Sequence, residues 1–388
     1  ILDSEAALSP NSGVRKLIAT LRKKYQRADG FMELLFYLIH ERLIKRENSE
    51  YWPYLRLLPS PSDQVDSPTA WNLDNLHLSE LKKYDSSITS SITAYIERQK
   101  RNYNSIMNVP EVKEFFQAIP GLLTFEHFKW AASILDSRSI WWNGQRHLVP
   151  MLDFVNCQEG PDPNCVHSTS LDSTQTKAIT KSCWEFEEGS QVFENYGQAN
   201  HIYFQYHGFA LKENTHNCVN IDIDLTVDEA KRIIWNHPDV RQIAHNLRIF
   251  DRYRSMDKNR QLLLPPPLDA LKFSVCIPPN GELSEQTWWH LALKTNTVMG
   301  GVRSKTLGKP EATALSIILK QLESQIELYS THGDVNTNSL VSHGGMKVYL
   351  SKTLETLNIL VEVYRDILKN NNLPTIVMDD EAAADEEL

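Results

Sequence analysis

The strongest constraint on this chain is a change in its hydrophobic period. From Gly13 to Pro120 apolar residues recur at helical spacing: Leu34, Leu35, Leu38, Ile39 and Leu43 make one face, and Ile88, Ile92, Tyr95 and Ile96 make another. Spacing of three and four residues marks helices that bury one stripe. From Ser137 to Leu225 the period shortens. The turn pairs Asn143-Gly144 and Glu188-Gly189 break the chain there, between strand-like runs around Leu148–Val149, Gln191–Phe193 and Val219–Leu225. In the last run Val219, Ile221, Ile223 and Leu225 alternate with Asn220, Asp222 and Asp224, the pattern of a half-buried strand. Thr226-x-x-Glu229 then reads as a capping box, and helical spacing continues to about Lys369. Leu350, Leu354, Leu357, Val361, Tyr364 and Leu368 form its last stripe. A β-rich unit set between helical stretches predicts an α+β fold.

Prolines refine the divisions. Pro53, Pro59, Pro61 and Pro68 interrupt an aromatic stretch with Tyr51, Trp52, Tyr54 and Trp71, which predicts irregular packed structure because proline forbids continuous helix. Thr124 is placed to cap a helix running through Trp130 to about Asp136. Pro265–Pro267 and the Pro278–Gly281 turn divide the C-terminal part.

Charge and cysteine content narrow the function classes. The net charge is -9, and Asp379, Asp380, Glu381, Asp385, Glu386 and Glu387 supply most of it, which predicts a solvated, disordered tail on a nearly neutral body. The densest basic cluster, Arg98 to Arg101, is a single helical turn, so no nucleic-acid surface is expected. No apolar run is long enough for a membrane span. The 5 cysteines are odd in number and include no C-x-x-C pair. They predict no disulfide framework, no structural zinc, and a reducing intracellular compartment: cytoplasm, nucleus or plastid. The chain opens at Ile1 without a basic-then-apolar leader, and the expectation is that sequence precedes it.

Within the β-rich unit, polar and small residues stand among apolar ones without periodicity. In order they are Ser137-Arg138, the run Leu148 to Cys157 containing Asp153 and Asn156, the run Gly189 to Gly197 containing Asn195-Tyr196, then Asn200, and His207-Gly208-Phe209. Upstream stand Glu41-Arg42-Leu43, the segment Tyr51-Trp52-Pro53-Tyr54-Leu55-Arg56-Leu57-Leu58-Pro59, and Phe128-Lys129-Trp130-Ala131. The order and spacing of these motifs resemble the SET-domain protein methyltransferases, in the branch of the Rubisco large-subunit lysine methyltransferase and the actin-histidine methyltransferase. The resemblance implies a β-rich SET fold over residues 1–225, interrupted by a helical insert at about 14–120. It implies an all-helical substrate-binding-like domain over 226–372, with the acidic tail at 373–388. It also implies a threaded, knot-like passage of the Asn156 segment near Tyr196.

By the same resemblance the function expected is S-adenosylmethionine-dependent protein N-methylation. A protein-lysine acceptor comes first; the alternatives are a protein-histidine acceptor or a catalytically degenerate SET-fold interaction module. Tyr196 takes the catalytic position. Arg138, Asp153, Asn156, Cys157 and Tyr196 hold S-adenosylmethionine, and His207 and Phe209 line the acceptor channel. A protein substrate is expected on the helical C-terminal domain, and the protein is expected to be a monomer. The chemistry fits these residue types. A lysine must lose its proton before it attacks a sulfonium, and burial among aromatic walls favours the neutral amine. The forked arginine suits the donor's carboxylate.

The sequence departs from the family pattern in three places. Asn156-Cys157 stands where the family has Asn-His, His207-Gly208-Phe209 stands where it commonly has Tyr-Gly-Phe, and the glycine-rich donor segment belongs upstream of Ile1. Cys157, Cys165 and His167 lack the spacing and number of ligands for zinc, and His207 lies near no hydrolase nucleophile motif.

Overall fold

A computed structural model describes residues 1–25, 30–60, 67–117, 119, 121, 123–142, 144–167, 169–172, 177–224, 272–297, 307–333, 335, 344–370 and 376–377. The expected capping box at Thr226, the Pro265–Pro267 break and the acidic tail lie outside them. The chain divides into two compact units. The first comprises Ile1–Glu80, Thr89–His216 and Leu340–Tyr349, and the second Leu81–Ile88, Asn217–Ser339 and Leu350–Leu388. None of the described helices is long and apolar enough to cross a membrane.

The first unit is centred on two helices. Gly30–Ile39 is buried from Met32 onward, and its neighbour Phe125–Arg138 is buried from Phe128 to Leu135. Helices hidden on every side belong to the middle of a core. The second begins where expected. Thr124 Oγ1 accepts from His127 N at 3.3 Å while His127 Nδ1 accepts from Thr124 N at 3.3 Å, a reciprocal cap. Trp130 anchors the proline-rich stretch by donating its indole N–H to the Pro59 carbonyl at 2.7 Å. The Ser86–Met107 helix buries Ile88, Ile92, Tyr95 and Ile96, the predicted face.

The strands of this unit are short. Ile140–Trp142 pairs antiparallel with Gln145–His147, and Leu148 bridges to Leu2. Asn156–Cys157 pairs in parallel with Phe193–Glu194, so two segments distant in sequence lie side by side. Thr169–Leu171 pairs antiparallel with Ala178–Thr180.

In the second unit Val219–Asp224 pairs antiparallel with Lys272–Ile277, register Val219 to Ile277. Val219, Ile221 and Ile223 are buried, as the alternation predicted. Helices Glu285–Thr295, Lys309–His332 and most of Gly344–Asn370 complete the unit. The α+β class stands, with one refinement: among its described residues the C-terminal unit adds two strand pairs to its helices, the second joining Leu283–Ser284 in parallel with Ile376–Val377. Its last helix buries Leu350, Leu357, Val361 and Tyr364, and Tyr364 donates to the Gly281 carbonyl at 2.9 Å.

Cysteine reading is corrected by the structure. Cys165 bonds Cys183 in the first unit with Cα atoms 5.7 Å apart, and Cys218 bonds Cys276 in the second with Cα atoms 5.4 Å apart. Cys157 alone is a free thiol. Partners separated by 18 and 58 residues leave no spacing signature, so an odd count hid two bonded pairs. The cysteines therefore no longer support a reducing compartment.

Candidate functional site

The candidate site lies in the first unit, where the backbone does unusual things at several points. Asn195 Oδ1 accepts from Gly197 N at 2.8 Å, a turn closed by the residue's own side chain. Gly197 has φ 68°, and a Cβ there would lie 2.8 Å from Val166, so only glycine fits. Downstream, the short helix Asn200–Ile202 widens into a π-helical turn, Tyr203–His207, ended by Gly208 at φ 80°. Buried Asn200 holds the return of this loop. Its amide donates to Leu211 O at 2.9 Å and its Oδ1 accepts from Leu211 N and Asn214 Nδ2, each at 3.0 Å.

These turns bring four rings together. Tyr196 lies 5.7 Å from His207 and 6.1 Å from Tyr203, centroid to centroid, and Phe209 stacks on Tyr203 at 5.1 Å. Tyr196 donates its hydroxyl to the Val155 carbonyl at 2.7 Å, which ties the ring cluster to the strand carrying Asn156 and Cys157. Burial pushes the Tyr196 and Tyr203 phenols well above their ordinary range. Burial also pushes His207 down to about 4, aided by the Arg138 charge and opposed by a hydrogen bond to the Ser137 backbone. At neutral pH this wall carries no charge.

Beside it lies a charged pair. Arg138 Nη1 donates to the Asp153 carbonyl at 3.1 Å and faces Asp153 Oδ2 at 3.5 Å, while its guanidinium lies 5.6 Å over the Phe154 ring. Tyr54 donates to the same Oδ2 at 2.8 Å. The Asp153 side chain is 0% exposed and that of Arg138 25%. Burial raises the Asp153 carboxyl, with Tyr54 and Arg138 opposing. Asp153 Oδ1 is buried with no hydrogen-bond partner, as is Asn195 Nδ2. Buried orphan atoms cost free energy unless something completes them. The backbone is strained two residues before Asp153: Met151 has φ 77° and is 72% exposed.

The structure thus brings Arg138, Asp153, Tyr196, His207 and Phe209 into one neighbourhood. Asn156 is exposed and contributes its backbone to the pairing with Phe193. Cys157 hydrogen-bonds Tyr203 and the Tyr196 backbone, and burial pushes its thiol up to about 11. His167 is engaged by Glu194 Oε2 at 2.6 Å and Thr169 Oγ1 at 2.9 Å. Sequence reasoning missed Tyr54 and Tyr203. Tyr203 and His207, four residues apart in a helical stretch, do carry a signal, since that spacing puts both on one face. Tyr206 points elsewhere, edge-on to Tyr95 at 5.9 Å.

No protein-family model matches this sequence, and no curated protein does either. Solved structures do match in fold. A SET domain of LSMT bound to lysine and AdoHcy superposes with TM-score 0.64 at 15% identity, covering 95% of this chain and 81% of that one. Rubisco LSMT bound to AdoMet gives 0.63 at 16% identity over 95% and 81%. Rubisco LSMT bound to sinefungin and monomethyllysine gives 0.61 at 16% identity over 96% and 81%. This chain has the fold of the LSMT structures.

Proposed function

We propose that this protein is an S-adenosylmethionine-dependent protein N-methyltransferase with a lysine side chain as its acceptor. The observation that carries the reading is one neighbourhood with two halves: an uncharged ring cluster of Tyr196, Tyr203, His207 and Phe209, and the Arg138–Asp153 pair with its unpartnered Oδ1. The ligands of the LSMT structures support it, and so do the sequence motifs.

The residues present fit such a donor. S-adenosylmethionine supplies a methyl group made electrophilic by its sulfonium. Arg138 engages Asp153 through Nη1, which leaves its other N–H groups for a carboxylate. Asp153 Oδ1 can accept from an ammonium group, which removes its unpaired burial. On the acceptor side the ring cluster excludes water and favours the neutral amine, because a lysine with ordinary pKa of about 10.4 loses most by desolvation when charged. The Tyr196 hydroxyl spends its proton on Val155, so its oxygen remains free to accept an N–H and turn the nitrogen lone pair toward the methyl group. The protein substrate would dock through the helices of the second unit, as the sequence resemblance implies.

Cys157 favours a second reading. Its thiol is tied to Tyr203 where the related enzymes carry an imidazole, which fits a SET-fold interaction module without turnover. Radiolabelled S-adenosylmethionine, the full-length protein and peptide pools bearing lysine or histidine decide between them. Transfer to lysine peptides, lost in Tyr196→Phe, is the expected result. Transfer to histidine alone replaces the acceptor, and no transfer to either pool supports the interaction module.

A further inference from the structure

The first unit holds a cavity lined by both charged and aromatic side chains, which shares no residue with the ring cluster or the Arg138–Asp153 pair. Its volume is about 250 Å³, and its lining includes Arg42, Arg46, Glu47, Trp52, His127 and Trp130. The chain builds it by departing from regular helix. After Ile39 the helix widens into a π-helical turn, His40–Lys45, and Arg46 follows with φ 50°, a strained conformation for a non-glycine residue.

Glu41, the acid beside Arg42 in sequence, is not available to these arginines. Glu41 is fully buried and accepts from Ser49 Oγ at 2.6 Å, with Lys45 Nζ at 3.0 Å and His40 Nδ1 at 3.1 Å. Among the described residues no carboxylate lies within ion-pair distance of Arg42 or Arg46. Arg42 is instead held 5.1 Å over the Trp52 ring. Burial and then the Arg46 charge depress the Arg42 guanidinium, so two like charges share a partly enclosed space with the one carboxylate of Glu47.

The remaining lining fixes what is still on offer. Trp130 has given its N–H to Pro59, and His127 Nδ1 accepts from Thr124 N. That bond sets the tautomer, placing the imidazole proton on Nε2. Burial holds His127 below its ordinary pKa and therefore neutral. Arg42 and Arg46 are left with their forked donors and His127 with one. Opposed to them is the single Glu47 carboxylate.

We propose that this cleft binds a phosphomonoester dianion, accepted by Arg42, Arg46 and His127 Nε2–H, with its ester carbon against the indoles of Trp52 and Trp130. A carboxylate has two oxygens and saturates one guanidinium; a phosphomonoester has three terminal oxygens and nearly two charges, which serves two. The group could be carried by a phosphorylated side chain or by a small metabolite. Binding in the cleft does not depend on methyl transfer.

Calorimetric titration of the full-length protein with phenyl phosphate tests this. Saturable binding is expected, weakened about tenfold or more in Arg46→Gln, the loss of one charge-assisted contact, and strengthened in Glu47→Gln by removal of the opposing carboxylate. Arg46 is exposed, so that variant is expected to keep the fold even if Arg42→Gln does not. A phosphoserine peptide that binds more tightly than phenyl phosphate identifies a side chain as the source; the reverse order identifies a metabolite. The proposal is overturned by the absence of saturable binding at millimolar phenyl phosphate, by equal binding of benzoate, or by unchanged affinity in both Arg46→Gln and Glu47→Gln.

Discussion

Tyr196 and Asp153 stand in the same unit, yet their surroundings differ in kind. Around Tyr196 the neighbours are rings, and its hydroxyl is satisfied by the Val155 carbonyl. Around Asp153 the neighbours are a guanidinium and a phenol, and one carboxylate oxygen has no partner. The first region is complete without a ligand, and the second is not. A site for group transfer between a charged donor and a neutral acceptor needs this division: one side that fixes charge and one side that refuses it.

The comparison breaks most readily at Arg138. Replacing it by alanine leaves Asp153 buried beside Tyr54 alone, and the expected loss of stability is about 3 kcal/mol. Arg138 keeps some solvent contact, which places this at the lower end for buried pairs. Urea unfolding measures it, and the double variant Arg138→Ala/Asp153→Asn should recover most of the loss. Equal destabilisation in single and double variants would show that the pair is not coupled.

Cys157 sharpens the ring side. A thiol pushed up to about 11 by burial has few thiolates at pH 8, so alkylation by iodoacetamide should run about a hundredfold slower than for an exposed cysteine. In Tyr203→Phe the hydrogen bond is gone but burial remains, and the rate should stay slow. Fast alkylation of the folded parent would place Cys157 in contact with water.

A smaller effect is expected from Tyr196→Phe. Removing the hydroxyl orphans the Val155 carbonyl, which costs about 1 kcal/mol of stability. Donor affinity should be nearly unchanged while turnover falls, since the lost group acts on orientation. Parental turnover in this variant contradicts the role given to Tyr196.

A further change is expected in acid. His207 is pushed down to about 4 in the folded chain, against an ordinary value near 6.5. The unfolded chain therefore takes the proton first as pH falls. The stability that rests on neutral His207 is full above about pH 6.5 and is lost as pH falls from there toward 4. His290 and His201 are pushed down to about 4 by burial too, so the parent's acid limb is shared. His207→Tyr should flatten only its own part of that limb in unfolding curves at pH 7 and pH 5. Identical limbs in parent and variant would place His207 outside the buried wall.

The fold was largely legible because its signals are local. The stripe at Ile88, Ile92, Tyr95 and Ile96, the cap at Thr124 and the alternation from Val219 each depend on a few neighbouring residues, and each appears in the structure. What the sequence hid is non-local. Tyr54 reaches Asp153 across 99 residues, and nothing in either segment announces the other. Cys218, just before the strand that opens at Val219, pairs with Cys276 of the partner strand across 58 residues, a contact set by the register of Asn220 against Cys276 rather than by cysteine spacing. Arg138, Asp153 and Tyr196 are legible through the order of motifs, whereas Tyr203 belongs to none of those motifs and joins the site only through the helical turn that sets it beside His207.

The central claim is that the Arg138–Asp153 half of the site holds a charged donor which the ring half does not. Calorimetric titration of the full-length protein with S-adenosylmethionine, in the parent and in Arg138→Lys, tests it most directly. Lysine keeps the positive charge beside Asp153 but lacks the fork. The account predicts saturable binding by the parent, weakened about tenfold in Arg138→Lys through loss of charge-assisted hydrogen bonds, with Tyr196→Phe at parental affinity. No saturable binding by the parent, or equal affinity in parent and Arg138→Lys, would contradict it.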